Sequence, residues 1–502
     1  MTAARDGDGF GASRERFEVV AGWLGSAEAA GLQAAELESR LDTVGRELLR
    51  QLLQDHLDLR AAREPRLGEV TGADGITRTR AETGHCRALA TVLGEVTVTR
   101  IAYRAPGAAN LHPADAALNL PEEKHSHGLR RLDAIESARG SFEAAGQAAG
   151  RATGTVLGKR QAEQLARAAA ADIDAFYAGR RPGPSGPDVL LVMQYDGKGI
   201  VMRHEALRPA TARTAASSSR KLTTRLSPGE KTGRKRMAEL AVVHDAIPVP
   251  RAPGDIISPP GAKDTRPRQR GPEAEGKWLT ASVTDDIPAV IAAGFDEAAR
   301  RDPDGERTWI ALVDGNKTQI EAIEAEAARR GAKVTILIDF IHVLEYTWKA
   351  AWSFFEPGDP DAQEWVAAQA TTILEGKSAQ AAAGIRRRAT AFGYSPAERT
   401  GADACAAYLT AKKPYLDYAT ALASGWPIAT GVIEGACRWL VKDRMDITGA
   451  RWGLGSAEAI LKLRALTANG DFDDYWTYHL RQEHQRVHQN RYHERDHVTL
   501  AA

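Results

Sequence analysis

The chain has 502 residues, and 66 Lys plus Arg balance 66 Asp plus Glu, so its formal net charge is zero. With 43% hydrophobic and 26% charged residues it reads as globular, with apolar content for large cores, and global disorder is excluded; at roughly 100–200 residues per domain, about three domains are expected. No apolar run approaches the ~18 residues of a transmembrane helix. The start, MTAARDGDGFGASRER, lacks the apolar core of a signal peptide. Cys86, Cys405 and Cys437 form no CxxC pair, which argues against a disulfide framework and a cysteine zinc site. A reduced, cytoplasmic protein without a membrane partner is expected.

Along the chain, FEVVAGWL and ELLRQLLQDHLDLR repeat apolar residues at i, i+3, i+4 and predict helix over 15–62. HCRALATVLGEVTVTRIAYRAPG alternates with period 2 and predicts a hairpin turning near Gly94. Residues 128–178 return to helix. Within them, a helix over Phe142–Ala149, a turn with Gly150 and Gly154, and a second helix from Gly158 give a helix–turn–helix layout. Lys159, Arg160 and Gln161 then occupy its recognition position. Plain packing of two Ala-rich helices is the alternative.

GRRPGPSGP (179–187) is a linker by composition. An α/β pattern follows. DVLLVMQYDGKGIVM predicts a buried strand, a tight turn at Gly197–Gly199 and a second strand, and RMAELAVVHDAIPV predicts another. Seven prolines in 248–272 mark a surface loop. IPAVIAAGFDEAARR is a helix, RTWIALVDG a doubly covered strand, IEAIEAEAARRG a crossover helix and AKVTILIDF the next, parallel strand. From about 340 to 424 every segment reads as helix or loop, and GVIEGACRWLVKDR is a final helix.

Three acids stand at telling places. Asp196 and Asp314 each end an apolar strand and precede a glycine; Glu434 lies in the first turn of the final helix. Carboxylates at the carboxyl ends of strands face the crevice where open α/β sheets bind ligands, and the adjacent glycines would let a bulky substrate approach the backbone. Converging oxygen ligands of this kind suit two Mg²⁺ (or Mn²⁺) ions, which drive in-line phosphoryl transfer at a spacing of about 3.5–4 Å. Taken singly, each acid also fits a turn or a helix-dipole role.

Basic residues cluster from Val201 to Arg236: Arg203, Arg208, Arg213, Arg220, Lys221, Arg225, Lys231, Arg234, Lys235 and Arg236, against Glu205 and Glu230, ten minus two giving +8. Such a segment suits a nucleic-acid backbone.

QYDGKGIVMRHEALRPAT, KLTTRLSPGEKTGRKRMAELAVVHDAIPVPR, KWLTASV, WIALVDGNKTQIEAI, ILIDFIHVLEYTWKAAW and WPIATGVIEGACRWLVKDRMDITGARWGLGSAEAILKLRAL together resemble the DDE transposases with a ribonuclease H-like core, of bacterial insertion sequences and Mutator-like elements, most nearly the ISKra-type insertion-sequence family. The resemblance runs from about 84 to 480. It implies an α/β, ribonuclease H-like mixed sheet with an all-α insertion, preceded by a helical and β-hairpin region with a helix–turn–helix. The corresponding segments are 1–83 (helical), 84–178 (hairpin and DNA binding), 188–344 (catalytic core), 345–424 (insertion), 425–475 (final core helix) and 476–502 (polar tail). It makes Asp196, Asp314 and Glu434 the catalytic, metal-binding triad. Asp339-Phe340-Ile341-His342 fits the C/D-x-x-H motif of Mutator-like relatives. The implied partners are double-stranded DNA, as element ends and target, and at least a second copy of the chain on DNA. The implied reaction is strand cleavage followed by strand transfer from the freed 3′-hydroxyl, in a nucleoid-associated enzyme. A nuclease or resolvase without strand transfer, and a non-enzymatic DNA-binding regulator, are the rival readings.

Several residues have secondary readings. Asp339 also ends an apolar strand and is the alternative to Asp314. His342 could orient a phosphate or polarise water. Arg438, four residues after Glu434, could meet the scissile phosphate or pair with that acid. Trp426, Trp439 and Trp452 surround Glu434 and read mostly as core. His479, His484, His488, His493 and His497 read as part of a solvated polar tail.

Overall fold

A computed structural model of the chain describes residues 9–183, 185–217, 234–258, 267–447 and 449–493. Two compact units emerge: Met1–Ala178 with Asp471–Ala502, and Gly179–Gly470. Among the described residues, no helix is long and apolar enough to cross a membrane.

The first unit opens with helices α1 (Gly11–Leu24), α2 (Ala27–Ala30) and α3 (Ala34–Ala62), where the 3.6-residue period predicts them. A two-residue pair, β1 (Val70–Thr71) and β2 (Thr77–Arg78), precedes the long antiparallel hairpin β3 (Arg80–Thr91) and β4 (Gly94–Arg104). Gly94 closes the hairpin turn with φ +118°, a conformation L side chains avoid. The hairpin's apolar face is buried against α3 through Leu57, Leu89, Val96 and Val98. After α4 (Pro113–Ala117) come α5 (His127–Arg139), α6 (Phe142–Thr153), α7 (Lys159–Ala169) and α8 (Ile173–Gly179). α5, α6 and α7 pack mutually around Leu129, Ala149, Leu157 and Leu165. α6 is one turn longer than the Phe142–Ala149 expected: Gly150 stays helical, and Gly154 alone, at φ +70°, ends it.

The second unit is built on one five-stranded sheet of order β7-β6-β5-β8-β9. The strands are β5 (Leu190–Val201), β6 (Lys235–Ala246), β7 (Glu275–Ser282), β8 (Trp309–Val313) and β9 (Val334–Ile338). β5, β6 and β7 pair antiparallel, whereas β8 and β9 run parallel to β5. Short helices α9 (Pro209–Ser217) and α10 (Pro253–Ile256) lie in the connections, and α11 (Ile287–Arg301) and α12 (Lys317–Arg330) pack on the sheet. Gly294 of α11 faces the Tyr195 hydroxyl, which a Cβ would meet at 2.4 Å. The turn expected at Gly197–Gly199 does not form. β6 pairs with every residue from Leu190 to Val201, and its Met237, Glu239 and Lys235 side chains fill the space beside both glycines.

From the end of β9 the chain is helical: α13 (Phe340–Ala351), α14 (Pro360–Leu374), α15 (Ser378–Ala391), α16 (Thr400–Ala411) and α17 (Tyr418–Ala423). The helix expected over GVIEGACRWLVKDR is three pieces: α18 (Gly431–Ala436), a π-helical segment Cys437–Lys442, and α19 (Asp443–Met445). α20 (Leu454–Ala468) then packs on β7.

The last helix, α21 (Phe472–Val487), belongs to the first unit, and it corrects the reading of 476–502 as a solvated polar tail. His479, His484 and His488 are at most 5% exposed. The helix buries polar side chains because each has a partner. His479 Nδ1 lies 2.6 Å from Asp172, Arg130 donates to Glu483 at 2.8 Å, and the Tyr475 hydroxyl donates to the Ala169 carbonyl. His497 and the rest of 494–502 lie outside the described residues.

Candidate functional site

The parallel half of the sheet fixes the level of three acids. β5 and β8 stay in register up to Gln194 opposite Leu312, and β8 and β9 up to Val313 opposite Ile338. Two residues past the first pair stand Asp196 and Asp314; one past the second stand Asp314 and Asp339. The row therefore crosses three adjacent strands at the carboxyl edge of the sheet. Asp196 does not end its strand. β5 runs on to Val201, paired with β6 alone, so Asp196 sits where β8 drops away.

Side-chain alternation sends Tyr195 toward α11 and Gln194 and Asp196 to the opposite face. That face carries α18. Asp196 Oδ1 accepts from the Gly197 N–H at 2.7 Å, and Oδ2 accepts from the Cys437 thiol at 3.2 Å. Glu434 is three residues before Cys437, on the same helical side, and is exposed. Burial, reinforced by the charge of Asp196, pushes the Cys437 thiol well above its usual range, so it remains an S–H donor. Asp314 is half-buried; its Oδ1 accepts from Asn316 N–H at 2.8 Å and its Oδ2 lies 3.8 Å from His342 Nε2. His342 Nδ1 is 3.6 Å from Glu345. Arg438 is mostly exposed, 3.8 Å from Asp443.

Asp339 differs from the others. It is fully buried, Oδ1 accepts from the Ile341 N–H at 2.8 Å, and Oδ2 accepts from the Thr430 hydroxyl. It caps α13 and offers no oxygen to the crevice. The glycines beside the two strand acids do not clear space for a substrate. A Cβ on Gly315 would meet the Tyr408 hydroxyl at 2.6 Å, and one on Gly197 would meet Glu239 at 3.0 Å. Glu239 is a further acid, the fifth, which the sequence reading missed. Burial raises its pKa, and the charge of Asp196 adds to the shift against Arg208. Its only sequence signal is an acid inside the apolar run AELAVV.

In the first unit, α7 presents an outward face. Lys159, Arg160, Gln164 and Arg167 are exposed, while Ala162, Leu165, Ala166 and Ala169 are buried. Gln161 is better described as a helix-start residue, since its Oε1 accepts from the Gly158 N–H at 3.1 Å. Gln164 and Arg167, one and two turns after Arg160, are the outward residues missed by counting only the first turn. Gly146 of α6 is fixed by proximity: a Cβ there would lie 2.3 Å from the Leu157 carbonyl oxygen.

Of the basic run in the second unit, Arg220, Lys221, Arg225 and Lys231 lie outside the described residues. Arg234 is exposed, and Lys235 lies 3.8 Å from Asp446. Arg236 is not a free cation for DNA. Its guanidinium donates to the Val283, Ala206 and Thr284 carbonyls, tying β6 to the neighbouring loops.

Among the described residues, no three His, Cys, Asp or Glu side chains gather as a ligand set for a metal ion. Asp196, Asp314 and Asp339 share a level, and each has protein partners of its own. No family model matches the chain, and no curated protein matches it.

Proposed function

We propose that the chain is a DDE transposase with a ribonuclease H-like core, acting on the ends of its own element. The observation that carries this reading is the level pair Asp196 and Asp314 on adjacent parallel strands, with the helix bearing Glu434 bonded to Asp196 through Cys437. The sheet order supports it: three antiparallel strands continued by two parallel ones, with helices from Phe340 to Ala423 inserted before the final acid. The exposed basic face of α7, in a three-helix unit with a tight α6–α7 turn, supports end recognition.

The donor chemistry fits a hard divalent cation: Asp196, Asp314 and Glu434 are all-oxygen ligands reachable from solvent, and no preformed cage gathers them. These three residues would hold Mg²⁺ or Mn²⁺, which when bound activates an attacking oxygen and stabilises a leaving one. The chain's own groups supply orientation. His342 abuts Asp314, and Arg438, the second residue of the π-helical segment, projects into solvent, where it can meet a phosphate. Arg160, Gln164 and Arg167 would contact the end duplex, and a second copy would hold the other end.

The test incubates the full chain with a labelled duplex carrying the element end, supercoiled target plasmid, and Mg²⁺, Mn²⁺ or EDTA. Joined products that vanish with EDTA and with Asp314→Asn are expected. Nicking without joining favours a nuclease; binding without either reaction favours a regulator.

A further inference from the structure

The stretch Ile428–Cys437 crosses the carboxyl edge of the sheet, and its fastening departs from the usual helix start. Thr430 is the residue before the first turn of α18, where a threonine hydroxyl ordinarily accepts from a first-turn N–H of its own helix. Here it makes no such bond and donates instead to Asp339 Oδ2. The first-turn N–H of Ile433 is met from the sheet, by Gln194 Oε1 at 3.0 Å. The helix is thus capped by β5, and its own cap residue is spent on the residue following β9. The Phe340 N–H to Ile428 carbonyl bond, 2.9 Å, ties the same two segments.

Both anchors are buried polar groups in apolar surroundings. Gln194 is 1% exposed and follows Leu190-Leu191-Val192-Met193. Its amide nitrogen lies 3.2 Å from His244 Nε2, and His244 Nδ1 lies 3.1 Å from the Asp245 carbonyl. A buried amide or carboxylate costs free energy unless its groups are met. Here each is met, and the bonds converge on Thr430 and Ile433, four residues and one residue before Glu434, and on Ile428. Asp339 has both oxygens engaged inside the protein.

We infer that Asp339, Thr430 and Gln194 are positioning residues that fix the helix start so that Glu434 stands beside Asp196, and that Asp339 is not a cation ligand. The inference rests on the proposed DDE reading and chooses between the two strand-end acids, Asp314 and Asp339.

The experiment uses the full chain with its end duplex and compares wild type, Asp314→Asn, Asp339→Asn, Thr430→Val and Thr430→Ser. Three quantities are read: Mn²⁺ binding by calorimetry, the Mg²⁺ concentration for half-maximal cleavage, and Tm. Asn at 339 still accepts from the Ile341 N–H and can donate to Thr430. Asp339→Asn should therefore bind Mn²⁺ within roughly threefold of wild type, while Asp314→Asn loses it. Thr430→Val should raise the Mg²⁺ requirement about tenfold or more, with end affinity unchanged, and Thr430→Ser should restore it. Loss of Mn²⁺ binding by Asp339→Asn in a protein of wild-type Tm overturns the inference alone. So does a Thr430→Val variant that lowers Tm but leaves the metal requirement unchanged. Absence of Mn²⁺ binding and cleavage in the wild type overturns the DDE reading and the inference with it.

Discussion

Asp133, in the middle of α5, is fully buried and receives a hydrogen bond from the Ser137 hydroxyl at 3.5 Å. Burial pushes its pKa up to about 8, against the lowering effect of that bond. An unfolded aspartate titrates near 3.9, so between about pH 4 and 8 the folded chain holds a proton that the unfolded chain has lost. Stability from this residue is full below pH ~4 and is lost as pH rises through 8. Asp133→Asn should therefore gain stability relative to wild type as pH is raised from 5 to 9, by about 1–3 kcal/mol at the alkaline end, with a rise in Tm relative to wild type; equal Tm curves at all pH values would contradict this. At the proposed active site, Asp196→Asn should reduce cleavage to background while end binding is unchanged, read by gel shift on the same duplex. Asp314 was legible as a strand-end acid from the apolar run that stops at Asp-Gly; Asp196 was read the same way, but its strand continues to Val201. Glu239 was not legible, since its neighbour Asp196 is brought close only by the cross-strand register. The burial of Asp339 was equally invisible, because Thr430 is remote in sequence.

Among elements, α7 carries the proposed end contacts. Its buried Ala162, Leu165, Ala166 and Ala169 stripe turns Arg160, Gln164 and Arg167 outward together. Arg160→Ala and Arg167→Ala should each weaken end binding and reduce the slope of log K against log salt by about 1, the signature of one lost phosphate contact. Gln164→Ala should instead alter sequence preference and leave the slope alone. Gly146→Val should lower Tm by displacing the α6–α7 turn, because its branched side chain cannot fit 2.3 Å from a carbonyl oxygen; about 1–3 kcal/mol is the usual cost of such overpacking. Periodicity made these helices legible, as it did β8, α12 and β9. It failed at Cys437–Lys442, where apolar spacing cannot distinguish an α-helix from a π-helical widening. It also failed at Gly197–Gly199, where the glycines suggested a turn but β6 keeps the chain extended.

At the scale of the whole molecule, the first unit is made of two separated pieces of chain, Met1–Ala178 and Asp471–Ala502. α21 is held there by buried charge. Burial would raise the pKa of Asp172, but His479 and Arg486 outweigh it and hold the carboxyl down at about 2; Glu483 is held equally low by Arg486 and Arg130 against its own burial. This contribution is present above the unfolded value near 4 and is lost as pH falls through about 2. Asp172→Asn should accordingly lower Tm at pH 7 and converge with wild type near pH 2. A chain cut after Ala178 should melt below the intact unit, and adding a peptide covering 471–493 should raise its Tm, measured by circular dichroism. Sequence composition marked the exit at the 179–187 linker but not the return, because α21 is polar and its burial depends on partners some 300 positions earlier. The return also imposes an order on synthesis. The ribosome must add the roughly 290 residues of the second unit before α21 exists, some 15–60 s at about 5–20 residues per second. On a nascent chain the first unit is therefore the last part to be completed, and a message broken anywhere upstream of α21 yields a product that lacks this helix.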